Sequence, residues 1–323
     1  MNPAFSVIFL TTLIGVGQGL FLALFSSQTY SIVNVLPQQP GSYYACGGLI
    51  ALGFLVGGLV ASFFHLGHPE RAWRAASKWR TSWLSREVIA LPLVMGLVFM
   101  YAVVNWFELD ADLYGWGMPG QVALTIGTLG AAAALGLFLC TSMIYGAIKF
   151  LQEWATPLTV VNFFLMGSAS GFAFAAAYAA FMAPGVVEFY AGWAITLTVA
   201  AFASRTASLL RNARIKRIAS IQTAIGVRHS KVQQRSMGFM GGSYNTRDYF
   251  HGKSLAFLKS VKWIFLVLVF LLPVLLLWLG LTLGNPVVYV AAFTVQYVGL
   301  LFERWFFFAQ ANHPQNLYYQ VVG

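Results

Sequence analysis

Charged residues are scarce in this sequence. Asp, Glu, Lys and Arg make up 9% of its 323 residues, whereas hydrophobic residues make up 59%. A soluble chain of this length would carry roughly 25% charged residues. The mean hydropathy of +0.73 fits a chain that spends most of its length in lipid. The scarcity of charge excludes an ordinary soluble domain and predicts a polytopic membrane protein.

Cysteine and histidine are also few. The two cysteines, Cys46 and Cys140, lie inside apolar segments, so the sequence offers no disulfide framework and no cysteine spacing typical of a metal site. The five histidines include no pair in facing apolar segments, so a haem held by two histidines is not expected. The sequence therefore predicts neither a metal site nor a haem.

Eight apolar runs are long enough to cross a membrane as helices, at roughly 20 residues each. They cover residues 3–26, 43–66, 87–107, 120–147, 157–183, 190–209, 261–283 and 286–309. The first run follows no basic residues and has no small-residue cleavage site, so we interpret it as an uncleaved span. The pattern predicts an all-α fold in which residues 1–323 form a single bundle. Gly and Ala runs in the fourth and fifth spans allow close helix contact, so we expect both helices to be central.

The positive charges all fall on one side of this arrangement. The 19 Lys and Arg residues lie in the loops 67–86, 148–156 and 205–260 or near the adjoining helix ends. The opposite loops carry only acidic charges: Glu108, Asp110, Asp112 and Glu188. Cytoplasmic loops are enriched in Lys and Arg, so we predict a bacterial inner-membrane protein with both termini and the basic loops in the cytoplasm. The net charge of +10 is then a topology signal, and nucleic acid is not an expected partner.

The segment from His65 to Glu87 concentrates charge and tryptophan between the second and third spans. We predict His65 in the last turn of the second helix and Ser85 as the cap of the third, with Glu87 near its positive end. A histidine at the membrane edge can exchange protons with water and can hydrogen-bond a quinone carbonyl. An ordinary positive loop with tryptophans at the lipid interface explains the same residues, so both interpretations stay open.

Glu303 and Arg304 are charged residues inside the eighth span. Charges within a membrane are costly and often mark a functional site. Neighbouring residues on a helix do not face each other, so each needs another partner, and we expect one from the segment 65–87. The alternative is that Arg304 extends toward the cytoplasm while Glu303 makes a structural hydrogen bond.

A long basic loop, residues 205–260, separates the sixth and seventh spans. Its first part is rich in good helix formers and is expected to extend the sixth helix. Two interpretations fit the remainder: a basic arm on anionic membrane lipid, or a docking surface for a soluble partner. The residues predicted for docking are Arg235, Phe239, Tyr244, Arg247, Tyr249 and Phe250.

Three short motifs resemble the DMSO reductase membrane-anchor family. They are H-L-G-H-P-E-R-A from His65, S-W-L-S-R-E ending at Glu87, and Glu303-Arg304 followed by W-F-F-F. The resemblance implies an eight-helix, non-catalytic anchor that exchanges electrons with membrane quinone, either menaquinone or ubiquinone, and it gives His65 a place in the quinone site. It also implies a heterotrimer in which the molybdenum-bis(guanine dinucleotide) cofactor and the [4Fe-4S] clusters belong to the molybdopterin and iron–sulfur partner subunits. We predict a quinone and proton-transfer site formed by His65, Arg71, Arg80, Trp83, Arg86, Glu87, Glu303 and Arg304.

Two features depart from the respiratory members of that family. Their basic loops lie on the opposite side of the membrane, and a loop as long as 205–260 is not expected in them. Both features look like the branch that serves cytoplasmic, quinone-reducing sulfite dehydrogenases, so we predict electron flow from sulfite to quinone. One alternative is a quinol-oxidising anchor for a reductase of DMSO or other S-oxides. An alternative of another class is a secondary transporter, although its charges are expected near the membrane midplane.

Overall fold

The structure is a computed structural model that describes residues 1–115, 120–216, 220–229, 231–232 and 249–314. Regular secondary structure in these residues is entirely helical. Eight helices are long and apolar enough to cross a membrane. They are α1 (Phe5–Ile32), α2 (Gly41–Phe63), α3 (Trp83–Trp106), α4 (Gln121–Gly146), α5 (Pro157–Met182), α6 (Val187–Ala213), α7 (Leu255–Leu283) and α8 (Pro286–Ala309). The prediction of an all-α bundle with eight spans is confirmed.

Two helix ends near the charged segment differ from the sequence prediction. Helix α2 ends at Phe63, so His65 lies in the turn that follows rather than in the last helical turn. Helix α3 begins at Trp83 because the extended Ser82 accepts a hydrogen bond from the backbone N–H of Ser85 (3.4 Å). The prediction that Ser85 caps this helix was wrong, and Glu87 lies about one turn inside it.

The loops at this end contain short helical segments. Residues Pro69–Lys78 form a 3₁₀ helix between α2 and α3. Helix α6 continues to Ala213 and α7 begins at Leu255, so residues 205–213 and 255–260 of the predicted loop belong to membrane helices. In the described part of the remaining arm, Ile221–Ile225 form a short helix.

Helices α1 and α5 form the centre of the bundle. In the most apolar 18-residue stretch of each helix, 78% of the residues of α1 and 72% of those of α5 are buried, against 33–39% in the other six helices. The two helices cross at glycines, because a Cβ on Gly171 would overlap the backbone of Gly19. The central position predicted for α5 is confirmed, whereas the one predicted for α4 was wrong. Instead, aromatic rings of α1 pack against glycines of α4. At Gly130, for example, a Cβ would overlap the ring of Phe21.

Helix α7 contains one π-helical turn, Val267–Leu271. Such a turn shifts the backbone out of the regular hydrogen-bond ladder. The buried Gln296 of α8 donates its amide N–H to the carbonyl of Val269 (3.3 Å) and to Thr198 Oγ1 of α6 (3.0 Å). One side chain therefore connects three helices at this irregularity.

The N-terminus and the end of α8 lie at the same end of the bundle. The amine of Met1 donates a hydrogen bond to the carbonyl oxygen of Ala311 (2.7 Å). Because the eight helices alternate in direction, the loops 64–82 and 147–156 and the described parts of 214–254 lie at this end as well. We call it the basic end, since these loops and the adjoining helix ends contain all the Lys and Arg of the sequence.

Candidate functional site

A buried ion pair joins α6 to α8 at the basic end. The Nε atom of Arg205 lies 2.8 Å from Glu303 Oε1, and the two side chains are 1% and 0% exposed. Arg205 is eight residues from the end of α6, which corresponds to a depth of about 12 Å at 1.5 Å per residue. The partner of Glu303 is therefore Arg205, and the expectation of a partner from the segment 65–87 was wrong.

Arg304 extends this pair to a cluster of three charges. Its guanidinium lies 3.5 Å from Glu303 Oε2, although the two residues are neighbours in sequence. The same guanidinium lies over the ring of Phe163 on α5, 3.7 Å from its centroid. Two cations share one carboxylate, so the ionised cluster has a formal charge of +1. Cation–π contacts such as the one with Phe163 stabilise the excess positive charge.

Glu87 is a second buried acid at the basic end. It is 6% exposed, and its Oε1 accepts a hydrogen bond from Thr141 Oγ1 on α4 (2.6 Å). The neutral hydroxyl of Thr141 satisfies part of the hydrogen-bonding capacity of the carboxyl group. A direct cationic partner would hold Glu87 in its ionised form, whereas a hydroxyl does not. This environment allows Glu87 to bind and release a proton.

Aromatic rings fill the space between Glu87 and the charge cluster. Tyr145 lies one turn beyond Thr141 on α4, and its ring stacks against Phe163 with a centroid distance of 5.7 Å. It also contacts Phe307 of α8 edge-on, at 5.6 Å. Phe163 thus has Tyr145 as one neighbour and Arg304 as another. The rings exclude bulk water from the cluster.

A small cavity lies in the core between α1, α4, α5 and α8. Its volume is about 20 Å³. Its polar lining consists of Thr11, Thr12, Gln18, Thr141, Ser170 and Arg304. It therefore contains the hydroxyl that binds Glu87 and the cation of the charge cluster. The cavity thus brings Arg304 close to Thr141, the hydrogen-bond donor of Glu87.

The other predicted residues lie closer to the surface. His65 is exposed to solvent, but neighbouring atoms remove part of the water around its imidazole, and this partial desolvation lowers its pKa from the ordinary value. Arg71 and Arg80 are also exposed, and Arg71 Nε lies 3.5 Å from Glu70. An exposed ion pair of this kind contributes about 0–1 kcal/mol to stability. The described contacts do not join these three side chains to the buried cluster.

Arg86 connects the charged loop to the start of α3. Its guanidinium donates hydrogen bonds to the carbonyl oxygens of Trp79 (2.9 Å) and Arg80 (2.8 Å). It also lies over the ring of Trp83, 4.1 Å from the centroid. Arg86 and Trp83 are half-buried and closely precede Glu87 in the first turns of α3. They form a cationic and aromatic surface at the edge of the buried acid.

The predicted docking surface falls mostly outside the described residues. Arg235, Phe239, Tyr244 and Arg247 all lie in the range 233–248, which the structure does not describe. Tyr249 stacks on the ring of His313 with a centroid distance of 3.8 Å. The end of the arm therefore packs against the segment that follows α8.

A second polar network lies at the opposite end of the bundle. Tyr101 Oη donates to Gln28 Oε1 (2.6 Å), Gln28 Nε2 donates to Asn105 Oδ1 (2.5 Å), and Asn105 Nδ2 donates to the carbonyl of Tyr101 (2.8 Å). This closed set of bonds satisfies the three buried groups and ties α1 to α3. A cavity of about 240 Å³ beside it is lined by Gln28, Asn105, Glu108 and Asp110, among others.

Sequence reasoning missed Arg205, Thr141 and Gln18. Arg205 lies where the apolar run 190–209 overlaps the predicted loop 205–260, so the sequence places it with the basic residues of the loop. Thr141 and Gln18 are polar residues within apolar runs, and a polar group in lipid needs a partner, which is the signal that could have identified them. In the described part of the chain, no three His, Cys, Asp or Glu side chains are placed to hold a metal ion.

Comparison with known proteins identifies relatives over the whole length. Residues 1–309 match the family described as DMSO reductase anchor subunit (DmsC). The chain is also 57% identical to a protein from Allochromatium vinosum that is named as one of the subunits of sulfite dehydrogenase. The alignment spans 325 residues and covers 100% of both chains.

Proposed function

We propose that this chain, which belongs to the DMSO reductase anchor subunit family, is the quinone-reactive membrane anchor of a molybdopterin enzyme that oxidises sulfite. Membership of that family makes the chain a membrane subunit of a multi-subunit oxidoreductase. The name of its relative, a sulfite dehydrogenase subunit, supports sulfite as the source of electrons. The partners would be an iron–sulfur subunit and a molybdopterin catalytic subunit, docked on the basic end from the cytoplasm.

The burial of Glu87 beneath the charged loop is the observation that carries this proposal. A buried carboxyl group without a direct cationic partner is costly in a merely structural role. The residues around it fit a quinone, because Arg86 offers hydrogen-bond donors and Trp83 an aromatic surface. A bound quinone would supply the capacity to accept two electrons and two protons.

Each residue of the site has a role that follows from its environment. Arg86 would bind a quinone oxygen and stabilise the negative charge that develops on it. Arg304, held by Glu303, would add positive potential from below. Glu87 would deliver protons, and the exposed His65 would exchange them with cytoplasmic water. Because these protons come from the cytoplasm, the step moves no net charge across the membrane.

The proposal is tested by turnover of the purified complex with two electron acceptors. Glu87→Gln and His65→Gln should each lower sulfite-dependent quinone reduction by about 10²-fold, a typical effect of losing an acid–base group. Activity with an artificial acceptor that bypasses the membrane subunit should not change. His68→Gln is the matched control, since His68 lies in the same loop and is 69% exposed. Normal quinone reduction in Glu87→Gln would exclude Glu87 from proton transfer.

The proposed orientation has an independent test. In a background without Cys46 and Cys140, Ser77→Cys in the charged loop should react with an impermeant thiol reagent only from the cytoplasmic side. Leu109→Cys, at the opposite end, should react only from the outside. Both positions are exposed. The reverse labelling pattern would contradict the cytoplasmic placement of the basic end.

Two alternatives predict different outcomes. If the chain is a quinol-oxidising anchor, its purified complex would reduce an S-oxide with quinol faster than it reduces quinone with sulfite. A secondary transporter would purify alone, without a molybdenum and iron–sulfur protein. Affinity purification of this chain followed by metal analysis distinguishes the transporter, and the ratio of the two reactions distinguishes the direction of electron flow.

A further inference from the structure

The core cavity has the size of a single water molecule. Its volume of about 20 Å³ lies beneath Arg304 and beside Thr141. A cavity needs roughly 10–15 Å³ of this kind of space and two to four polar partners to hold a water. Apolar cavities of similar size stay empty, so the hydrogen-bonding capacity of the lining decides the occupancy.

Some of the lining hydroxyls are already committed to backbone carbonyls. Thr11 donates to Val7, Thr12 to Ile8, and Ser170 to Gly167, all on their own helices. These three groups therefore require no additional partner for their single proton.

Thr141, Gln18 and Arg304 are the other polar groups of the lining, and no hydrogen bond among the described residues ties them to a carbonyl of their own helix. Thr141 donates its only hydroxyl proton to Glu87, which leaves the lone pairs of Oγ1 available. Gln18 is 1% exposed, and its Oε1 has no hydrogen-bond partner among the described residues. Arg304 carries only donors. Two acceptors and one donor are complementary to the two donors and the lone pairs of one water.

We infer that this cavity binds one water molecule, which donates hydrogen bonds to Thr141 Oγ1 and Gln18 Oε1 and accepts one from the Arg304 guanidinium. Three hydrogen bonds are the usual number for a buried water. The water completes a connection from Glu87 through Thr141 to the charge cluster of Arg205, Glu303 and Arg304. Gln18 is a positioning residue in this arrangement, because it orients the water and does not itself take up or release the proton.

The bound water would make the protonation of Glu87 sensitive to the charge cluster, a role that rests on the proposed function. When Glu87 is ionised, Thr141 donates to the carboxylate and accepts from the water. When Glu87 is protonated, the carboxyl O–H can donate to Thr141, whose hydroxyl then turns toward the water. The water must rotate to accept this bond, and Arg304 keeps its own protons throughout. The charge cluster therefore stabilises one direction of the hydrogen bonds that join Glu87, Thr141 and the water over the other direction.

High-resolution cryo-electron microscopy of the intact complex tests the site directly. The wild-type protein should show one ordered water between Thr141, Gln18 and Arg304. Thr141→Val, which keeps the shape and removes the hydroxyl, should lose this density, and Thr141→Ser should retain it. Ser170→Ala is the matched control in the same cavity and should retain the water. An empty wild-type cavity, in a map that resolves other buried waters, would overturn the inference.

Turnover measurements test the coupling. Thr141→Val and Gln18→Leu should lower quinone reduction by at least about tenfold, a modest loss for a disturbed proton-transfer group. Thr141→Ser, which restores the hydroxyl, should recover most of the rate that Thr141→Val loses, and Ser170→Ala should stay near the wild-type rate. The vibrational band of protonated Glu87 should shift in Gln18→Leu, which a purely structural role of Gln18 would not cause. An unshifted band in Gln18→Leu would contradict the coupling.

The two proposals can fail separately. If Glu87→Gln keeps full quinone turnover, the proposed function of Glu87 is wrong, and the water density still tests the site by itself. If Glu87→Gln loses turnover while the wild-type cavity is empty, only the inferred water is wrong.

Discussion

Among the residues that the structure describes, Glu303 is the single counter-ion for two buried arginines, so its removal should destabilise the bundle more than the removal of Arg205. With all three groups ionised, Arg205, Glu303 and Arg304 carry a formal charge of +1. Glu303→Gln raises this charge to +2 and leaves both guanidinium groups unpaired. Arg205→Met lowers it to zero, because Glu303 still lies 3.5 Å from Arg304.

The expected magnitudes follow from the cost of an uncompensated buried charge. Breaking a buried pair by removing one partner typically costs about 3–5 kcal/mol. Glu303→Gln should fall in that range, since the remaining side chains are 1% and 5% exposed. Arg205→Met should cost less than this range. The double variant returns the charge to +1 and should be more stable than Glu303→Gln alone, which gives a favourable coupling energy in the double-mutant cycle.

The free energy of unfolding can be measured by reversible titration of the purified chain with SDS in mixed micelles. Glu188→Gln provides the control, because Glu188 is an exposed acid at the opposite end of the bundle. Exposed substitutions of this kind usually change stability by about 0.5 kcal/mol or less. The shared counter-ion model would be refuted if Arg205→Met cost as much as Glu303→Gln, or if Glu303→Gln behaved like the control.

Three further predictions concern packing, pH dependence and a buried hydrogen bond. Gly171→Ala should prevent assembly of the bundle because its Cβ would overlap α1, whereas Gly136→Ala, with nothing within 4 Å, should be tolerated; folded yield in detergent measures both. Burial lowers the pKa of His65, so the unfolded chain binds a proton more readily, and the free energy of unfolding should fall as pH drops from about 6.5 toward the lowered value. His65→Gln should remove that part of the slope in unfolding titrations at several pH values. Trp154→Phe should cost about 1–3 kcal/mol, because the buried carbonyl of Phe307 loses the indole N–H that lies 2.9 Å away.

The positions of the helices could be predicted because each depends on local sequence. In lipid, a backbone must satisfy its own hydrogen bonds, so a long apolar run becomes a helix whatever it packs against. The helix ends were harder to predict from sequence. Ser82 and Ser85 are both acceptable caps for α3, and only the backbone conformation at Ser82 distinguishes them. Likewise, glycine and alanine runs indicated close packing in α4 without showing that rings of α1 would occupy the space.

The site residues also divide into those that the sequence reveals and those that only the packing reveals. Glu303 and Arg304 could be recognised because a charge inside an apolar run is conspicuous wherever its partner lies. Arg205 could not, since a polar residue near a helix end is equally compatible with an exposed loop. Its burial depends on Glu303, which follows it by almost a hundred residues, and on the aromatic rings of α7 and α8 that surround it.

The sequence by itself determined the number of membrane helices and the concentration of positive charge at one end, because both depend on composition along a single stretch of chain. It also identified Glu87 and Arg304 as unusual groups. Only the tertiary structure decided that Glu303 pairs with Arg205, that Thr141 binds Glu87, and that Gln18 and Arg304 line one cavity with Thr141. These are contacts between side chains on different helices, and a buried polar group takes whichever partner the packing brings within reach.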